Sequence, residues 1–97
     1  MGHRSEFFPD LKCSSPGWAI VLDLLVQQDR GRPVSVHSAC LATDAPMTTA
    51  LRHLTKLIEA GYVTRVADAE DGRRHFVRLS ASMEGRLREY LSRVGPP

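Results

Sequence analysis

The sequence predicts an α+β fold, mostly helical, and three observations carry that prediction. Two short stretches with helical apolar spacing, around 36–42 and 47–58, are separated by the tight turn "DAPM". Two β-forming runs, "YVTRVAD" and "RHFVRLS", follow at once and are linked by the turn-rich "ADAEDGR". An amphipathic run, "SASMEGRLREYLSRV", comes after them. Helix, turn, helix and hairpin in this sequence make a winged helix-turn-helix, with a two-stranded wing and an additional C-terminal helix.

The chain has 97 residues, the size of one small domain. Residues 1–15 read as an N-terminal arm, broken by Pro9 and by Ser14, Ser15, Pro16 and Gly17, and residues 16–95 as the folded domain. A hydrophobic share of 42% with 25% charge argues against disorder and leaves a core too small to frame a large catalytic cleft. The net charge of +2 is only mildly basic, but the arginines gather in the second half. Cys13 and Cys40 are the only cysteines; no Cys or His pair has ligand spacing, so neither a disulfide, a metal nor a cofactor is expected. "MGHRSEFF" lacks the apolar centre of a signal peptide, and the run Trp18–Val26 is too short to span a bilayer and is interrupted by Asp23. A cytoplasmic protein with no membrane partner is expected.

Ser15 and Pro16 supply the N-cap and first turn of a helix from Trp18 to Val26 whose apolar residues cover most of its circumference. Such a helix must be buried on more than one side. Arg32–Val34 can form a short strand, and Ser35 can cap the helix that carries Val36, Ala39 and Cys40. Asp44 can cap the next helix, with Pro46 tolerated in its first turn. That helix repeats Met47, Ala50, Leu51, Leu54, Leu57 and Ile58 as its inner stripe, and Gly61 stops it. The C-terminal helix carries Met83, Leu87, Tyr90, Leu91 and Val94 on one side.

The outer face of the 46–60 helix has Thr48, Thr49, Arg52, His53 and Lys56, and no carboxylate before Glu59. In a helix-turn-helix, the N-terminal part of the second helix enters the major groove. Threonines can meet base edges and the thymine methyl, Arg52 can reach guanine or phosphate, and Lys56 suits backbone phosphate. A charged tip over 68–76 beside such a helix can reach the adjacent minor groove, whose narrow electronegative space suits arginine. Asp71 and Arg73 are two apart, on one side of an extended segment, so Asp71 can hold Arg73 in a bidentate pair. Arg74 and Arg78 are candidates for flanking phosphates.

Residues 46–80 resemble the winged-helix core of the multiple-antibiotic-resistance regulator (MarR) family. The resemblance rests on Thr48, Thr49, Arg52, Leu57, Glu59, Gly61, Tyr62 and Val63, then on the wing residues Asp68, Asp71 and Arg73 and the strand end Leu79–Ser80. Ala69 stands where the family carries Pro, Ser80 where it carries Thr, and Gly85 falls later than the family's glycine. The resemblance implies a bacterial transcriptional regulator with Arg73 in the minor groove and Asp71 orienting it.

The expected function is sequence-specific binding of double-stranded DNA by a homodimer joined through the arm, the first helix and the C-terminal helix. The alternative is a winged-helix module for protein–protein interaction without DNA binding. An enzyme is not expected: His37, His53 and His75 lie on different elements, and no nucleophile or phosphate loop accompanies them. No aromatic stacking platform suggests RNA.

Overall fold

The computed structural model describes residues 16–94. Its elements are α1 (Pro16–Asp29), β1 (Val34–Ser35), α2 (Val36–Leu41), α3 (Met47–Glu59), β2 (Val63–Ala67), β3 (His75–Leu79) and α4 (Ala81–Val94). The arm, with Phe7, Phe8 and Cys13, the Ser15 cap and residue 95 of the expected domain lie outside the described residues.

α1 is the central post of the core. Ile20, Val21 and Leu24 are fully enclosed, Leu25 nearly so, and the helix packs against α2, α3 and β3. That accounts for its nearly all-round apolar surface. Only Val26 stands out as a large exposed apolar side chain on it. Gly31, at φ +68°, ends the helix; its N–H donates to the Gln28 carbonyl at 3.1 Å and Arg32 N–H to the Gln27 carbonyl at 2.9 Å. These two bonds satisfy carbonyls that the last turn leaves without helical partners.

Ser35 caps α2 as expected, its hydroxyl oxygen accepting from Ser38 N–H at 3.1 Å. The turn to α3 is held differently from the expectation. Thr43 is its organiser: its hydroxyl donates to the Cys40 carbonyl at 3.0 Å and accepts from Ala45 N–H at 3.2 Å. Asp44 caps nothing; Pro46 occupies the N-cap position of α3, and no side chain caps that helix. Proline at this place sets an extended backbone before the helix starts, which fixes the entry angle without a capping bond.

α3 ends in a nested pair of backbone bonds: Gly61 N–H to the Ile58 carbonyl at 3.1 Å and Tyr62 N–H to the Leu57 carbonyl at 3.0 Å. Gly61 sits at φ +82°, a conformation that a side chain disfavours. Tyr62 and Leu57, brought together by this motif, are both buried.

The hairpin gains a third strand. The sheet order is β1-β3-β2, all antiparallel, with Val34 opposite Val77 and Val63 opposite Leu79. One sheet face carries Val34, Val63, Val77 and Leu79 onto the helices, where they join Leu54, Met83 and Leu87. Ser80 starts α4 by accepting from Met83 N–H at 3.1 Å. Gly85 is accommodated inside α4 without a break. Cys40 is a buried packing residue, and burial pushes its thiol pKa up. Among the described residues, no helix is long and apolar enough to cross a membrane.

Candidate nucleic-acid interface

α3 turns one face outward. Thr48, Arg52 and Lys56, spaced by four, are exposed, and Thr49 and His53 beside them are half-buried. Thr55 is exposed on the same side, its hydroxyl bonded to the Leu51 carbonyl at 2.9 Å. There is no acidic residue in the first turn and no side-chain cap. The first-turn amides and the positive end of the helix dipole therefore favour an anion there. The pKa of His53 is lowered, chiefly by partial burial and then by the neighbouring Lys56 and Arg52 charges. A neutral imidazole on this face offers one donor and one acceptor.

The wing tip spans the turn between Ala67 and His75. Asp68 N–H donates to the Arg74 carbonyl at 2.8 Å, and Arg74 N–H to the Asp71 carbonyl at 2.9 Å. Asp68 also accepts from Glu70 N–H through its carboxylate at 2.9 Å. Gly72 is not at positive φ; the Asp side chains do the turning. Asp71 and Arg73 do pair, but not as expected. The segment is a turn rather than extended, and one carboxylate oxygen receives both Arg73 N–H at 3.1 Å and Arg73 Nε at 3.4 Å. The contact is single, not bidentate, and the Arg73 side chain is 94% exposed. Arg74 is tethered instead: its guanidinium carbon lies 5.2 Å from the centre of the Phe76 ring.

Between α3 and the wing, and against Ser35 of β1 and the start of α2, runs a cleft of about 450 Å³. Met47 and Leu51 of α3 form part of its floor, and Arg65, Arg73, Arg74 and His37 are among its walls; none of its lining residues is a carboxylate. Met47 and Leu51, expected in the inner stripe, are 38% and 42% exposed because they face this cleft. The structure thus brings Arg73 and Arg74 beside the first turns of α3, while Thr48, Thr49, Arg52, His53 and Lys56 lie on the outer face of the helix. Arg78 is elsewhere: it lines a separate groove with Gln28, Arg32, Glu84 and Arg88.

Arg65 was missed by sequence reasoning. In "YVTRVAD" it takes the position that alternation assigns to the face of Val63, where an apolar residue is expected. A charged residue out of phase in a strand was the available signal.

Residues 18–82 match the winged helix DNA-binding domain family. No curated protein sequence matches the chain. Among the solved structures that share its fold are the following three. A probable transcriptional regulator from Pseudomonas aeruginosa is 23% identical, with a TM-score of 0.69 over 93% of this chain and 64% of that one. MepR of S. aureus, in complex with DNA, is 22% identical, with a TM-score of 0.72 over 93% and 68%. The heme sensor PefR from Streptococcus agalactiae, in complex with heme, is 16% identical, with a TM-score of 0.69 over 95% and 63%. The chain spans a little under two thirds of the P. aeruginosa and S. agalactiae proteins. At these identities the likeness is one of fold, the winged helix-turn-helix that the sequence predicts. The chain belongs to the winged helix DNA-binding domain family.

Proposed function

We propose that the protein is a transcriptional regulator that binds double-stranded DNA as a homodimer. α3 enters the major groove with Thr48, Thr49, Arg52, His53 and Lys56, and the wing at 68–76 enters the neighbouring minor groove with Arg73, oriented by Asp71 and accompanied by Arg74. The observation that carries this is the cleft: residues of α3 and arginines of the wing line one space with no carboxylate among its walls. Two elements with a cationic seam between them fit two successive grooves of a polyanion. The DNA complex of MepR, a protein with this fold, supports the same partner.

The dimer is supported by the α1–α4 side of the domain. Trp18, Leu22, Tyr90 and Leu91 are only partly buried there, and Trp18 packs edge-on to Tyr90 with ring centres 5.8 Å apart. A second copy covering this face places two recognition helices about one DNA turn apart, which calls for a palindromic site. Such a regulator acts in the cytoplasm and carries no catalysis.

The test is selection of bound duplexes from a randomised pool, followed by anisotropy titration of the enriched sequence at two salt concentrations. An enriched palindrome whose affinity falls steeply with salt is expected. No retention at low salt overturns the proposal and favours the protein-interaction alternative.

A further inference from the structure

We infer that Arg65 is a phosphate-gripping residue, and that the cleft between α3 and the wing holds the sugar–phosphate strand that divides the two grooves. This rests on the DNA-binding proposal above and adds to it a residue and a path for the backbone.

If α3 occupies a major groove and the wing tip the adjacent minor groove, the strand between those grooves must pass between α3 and the wing. The cleft lies there. Its floor includes Met47 and Leu51, side chains that a deoxyribose can touch without losing hydrogen bonds. Its walls have cationic groups and no carboxylate, as a phosphate path requires.

Arg65 is placed for this by the sheet. Its Cα partner across the ladder is Val77, which is 3% exposed and faces the helices. Directly opposite residues share a sheet face, so Arg65 starts from the helix side of the sheet. Yet Arg65 is exposed, because burial along β2 ends after Val63 and the hairpin overhangs the helical core from there on. Arg65 therefore stands at the root of the overhang, opposite the first turns of α3. Among the described residues it has no ion-pair partner, whereas Arg73 leans on Asp71 and Arg74 on Phe76. A guanidinium held on a strand offers a planar fork that matches a phosphate.

The test compares the wild-type protein with Arg65→Ala and Arg65→Lys on the selected duplex. Losing one phosphate contact lowers the slope of log affinity against log salt by about 0.9, so the ratio of wild-type to Arg65→Ala affinity shrinks about 3.5-fold between roughly 50 and 200 mM salt. The loss is expected to be equal on cognate and mutated sites. The Arg65→Lys variant is expected to recover the salt slope but not the full affinity. A single neutral methylphosphonate moved along the strand between the two grooves should, at one position, weaken the wild type and leave Arg65→Ala unchanged, a pattern that a fold defect does not produce. An unaltered salt slope for Arg65→Ala beside a binding wild type overturns this inference alone. Failure of the wild type to bind any duplex overturns the DNA-binding proposal, and this inference with it.

Discussion

The side-chain carbonyl of Gln28, near the end of α1, accepts a 2.7 Å hydrogen bond from the backbone N–H of Leu79, the last residue of β3. The same amide donates to Glu84 Oε1 at 2.9 Å. Glu84 in turn receives Arg88 Nε at 3.2 Å, and Arg88 also bonds Asp29. One side chain thus fastens the first helix to the wing strand and to α4.

Removing Gln28 tests that fastening. Leu79 is 2% exposed, so Gln28→Ala leaves a backbone donor with little water to replace its partner. A buried orphan of this kind costs about 1–3 kcal/mol, which urea unfolding can measure directly. Arg88→Ala should cost less, because its pairs with Asp29 and Glu84 are half-exposed and surface pairs contribute about 0–1 kcal/mol. Equal losses from the two variants would show that Gln28 acts as one more surface contact.

The two glycines nearest the candidate interface should differ in what a methyl group costs. Gly61 is at φ +82° and a Cβ there meets nothing within 4 Å, so Gly61→Ala is opposed only by backbone strain, about 1–2 kcal/mol. Gly72 also has open space around it but no positive φ, so Gly72→Ala should change stability by less than about 0.5 kcal/mol. The pair of melting curves isolates the conformational contribution, since neither substitution alters packing.

Much of this architecture was legible because its determinants are local. The three- and four-residue spacing from Ala50 to Ile58 and the stop at Gly61 are written in consecutive residues, and so is the Ser35 cap. Long-range placement was not legible. Whether Val34–Ser35 joins the hairpin depends on a partner more than forty residues away, Val77 and Phe76. Met47 and Leu51 fit the inner stripe by spacing, but the hairpin overhang opens a cleft beside them, and spacing cannot foresee that. Asp44 has capping chemistry and sits two residues too early, because Pro46 sets the helix start. The bidentate geometry assumed an extended Asp71–Arg73 segment, whereas Asp71 bonds the Arg73 backbone and folds the segment into a turn.

His53 should make stability depend on pH. Partial burial first, then the Lys56 and Arg52 charges, hold its pKa below the ordinary value of 6.5. The unfolded chain then takes up a proton at higher pH than the folded one, so acidification favours unfolding. The stabilisation is complete above about 6.5 and is lost as pH falls through the lower folded value. The variant His53→Gln should flatten that part of the stability–pH curve. DNA phosphate near His53 should reverse the balance and tighten binding on acidification; an identical affinity–pH profile for His53→Gln would place the imidazole away from the backbone.

The cations of α3 should separate by role. Arg52→Ala is expected to relax base preference, with a loss of about 1–3 kcal/mol on the cognate site and little on others. Lys56→Ala should weaken all sequences alike and lower the salt slope by about 1. Titration of cognate and mutated duplexes at several salt concentrations distinguishes the two patterns.

Asp71 should act on DNA through two opposed effects that salt can separate. Its pair with Arg73 is exposed, so Asp71→Ala should leave stability within about 1 kcal/mol. Deleting a carboxylate near phosphates removes a repulsion, which strengthens binding at low salt and fades as the Debye length shrinks. Deleting the oxygen that receives the Arg73 backbone and Nε releases the turn, and that loss persists at high salt. Asp71→Asn keeps an acceptor oxygen while removing the charge. It should therefore bind at least as tightly as the wild type at low salt and retain its preference for narrow A·T-rich flanks, where Arg73 reads groove width. Asp71→Ala should lose that preference at high salt. If the two variants behave identically across the salt range, Asp71 contributes charge only and Arg73 finds the groove unaided.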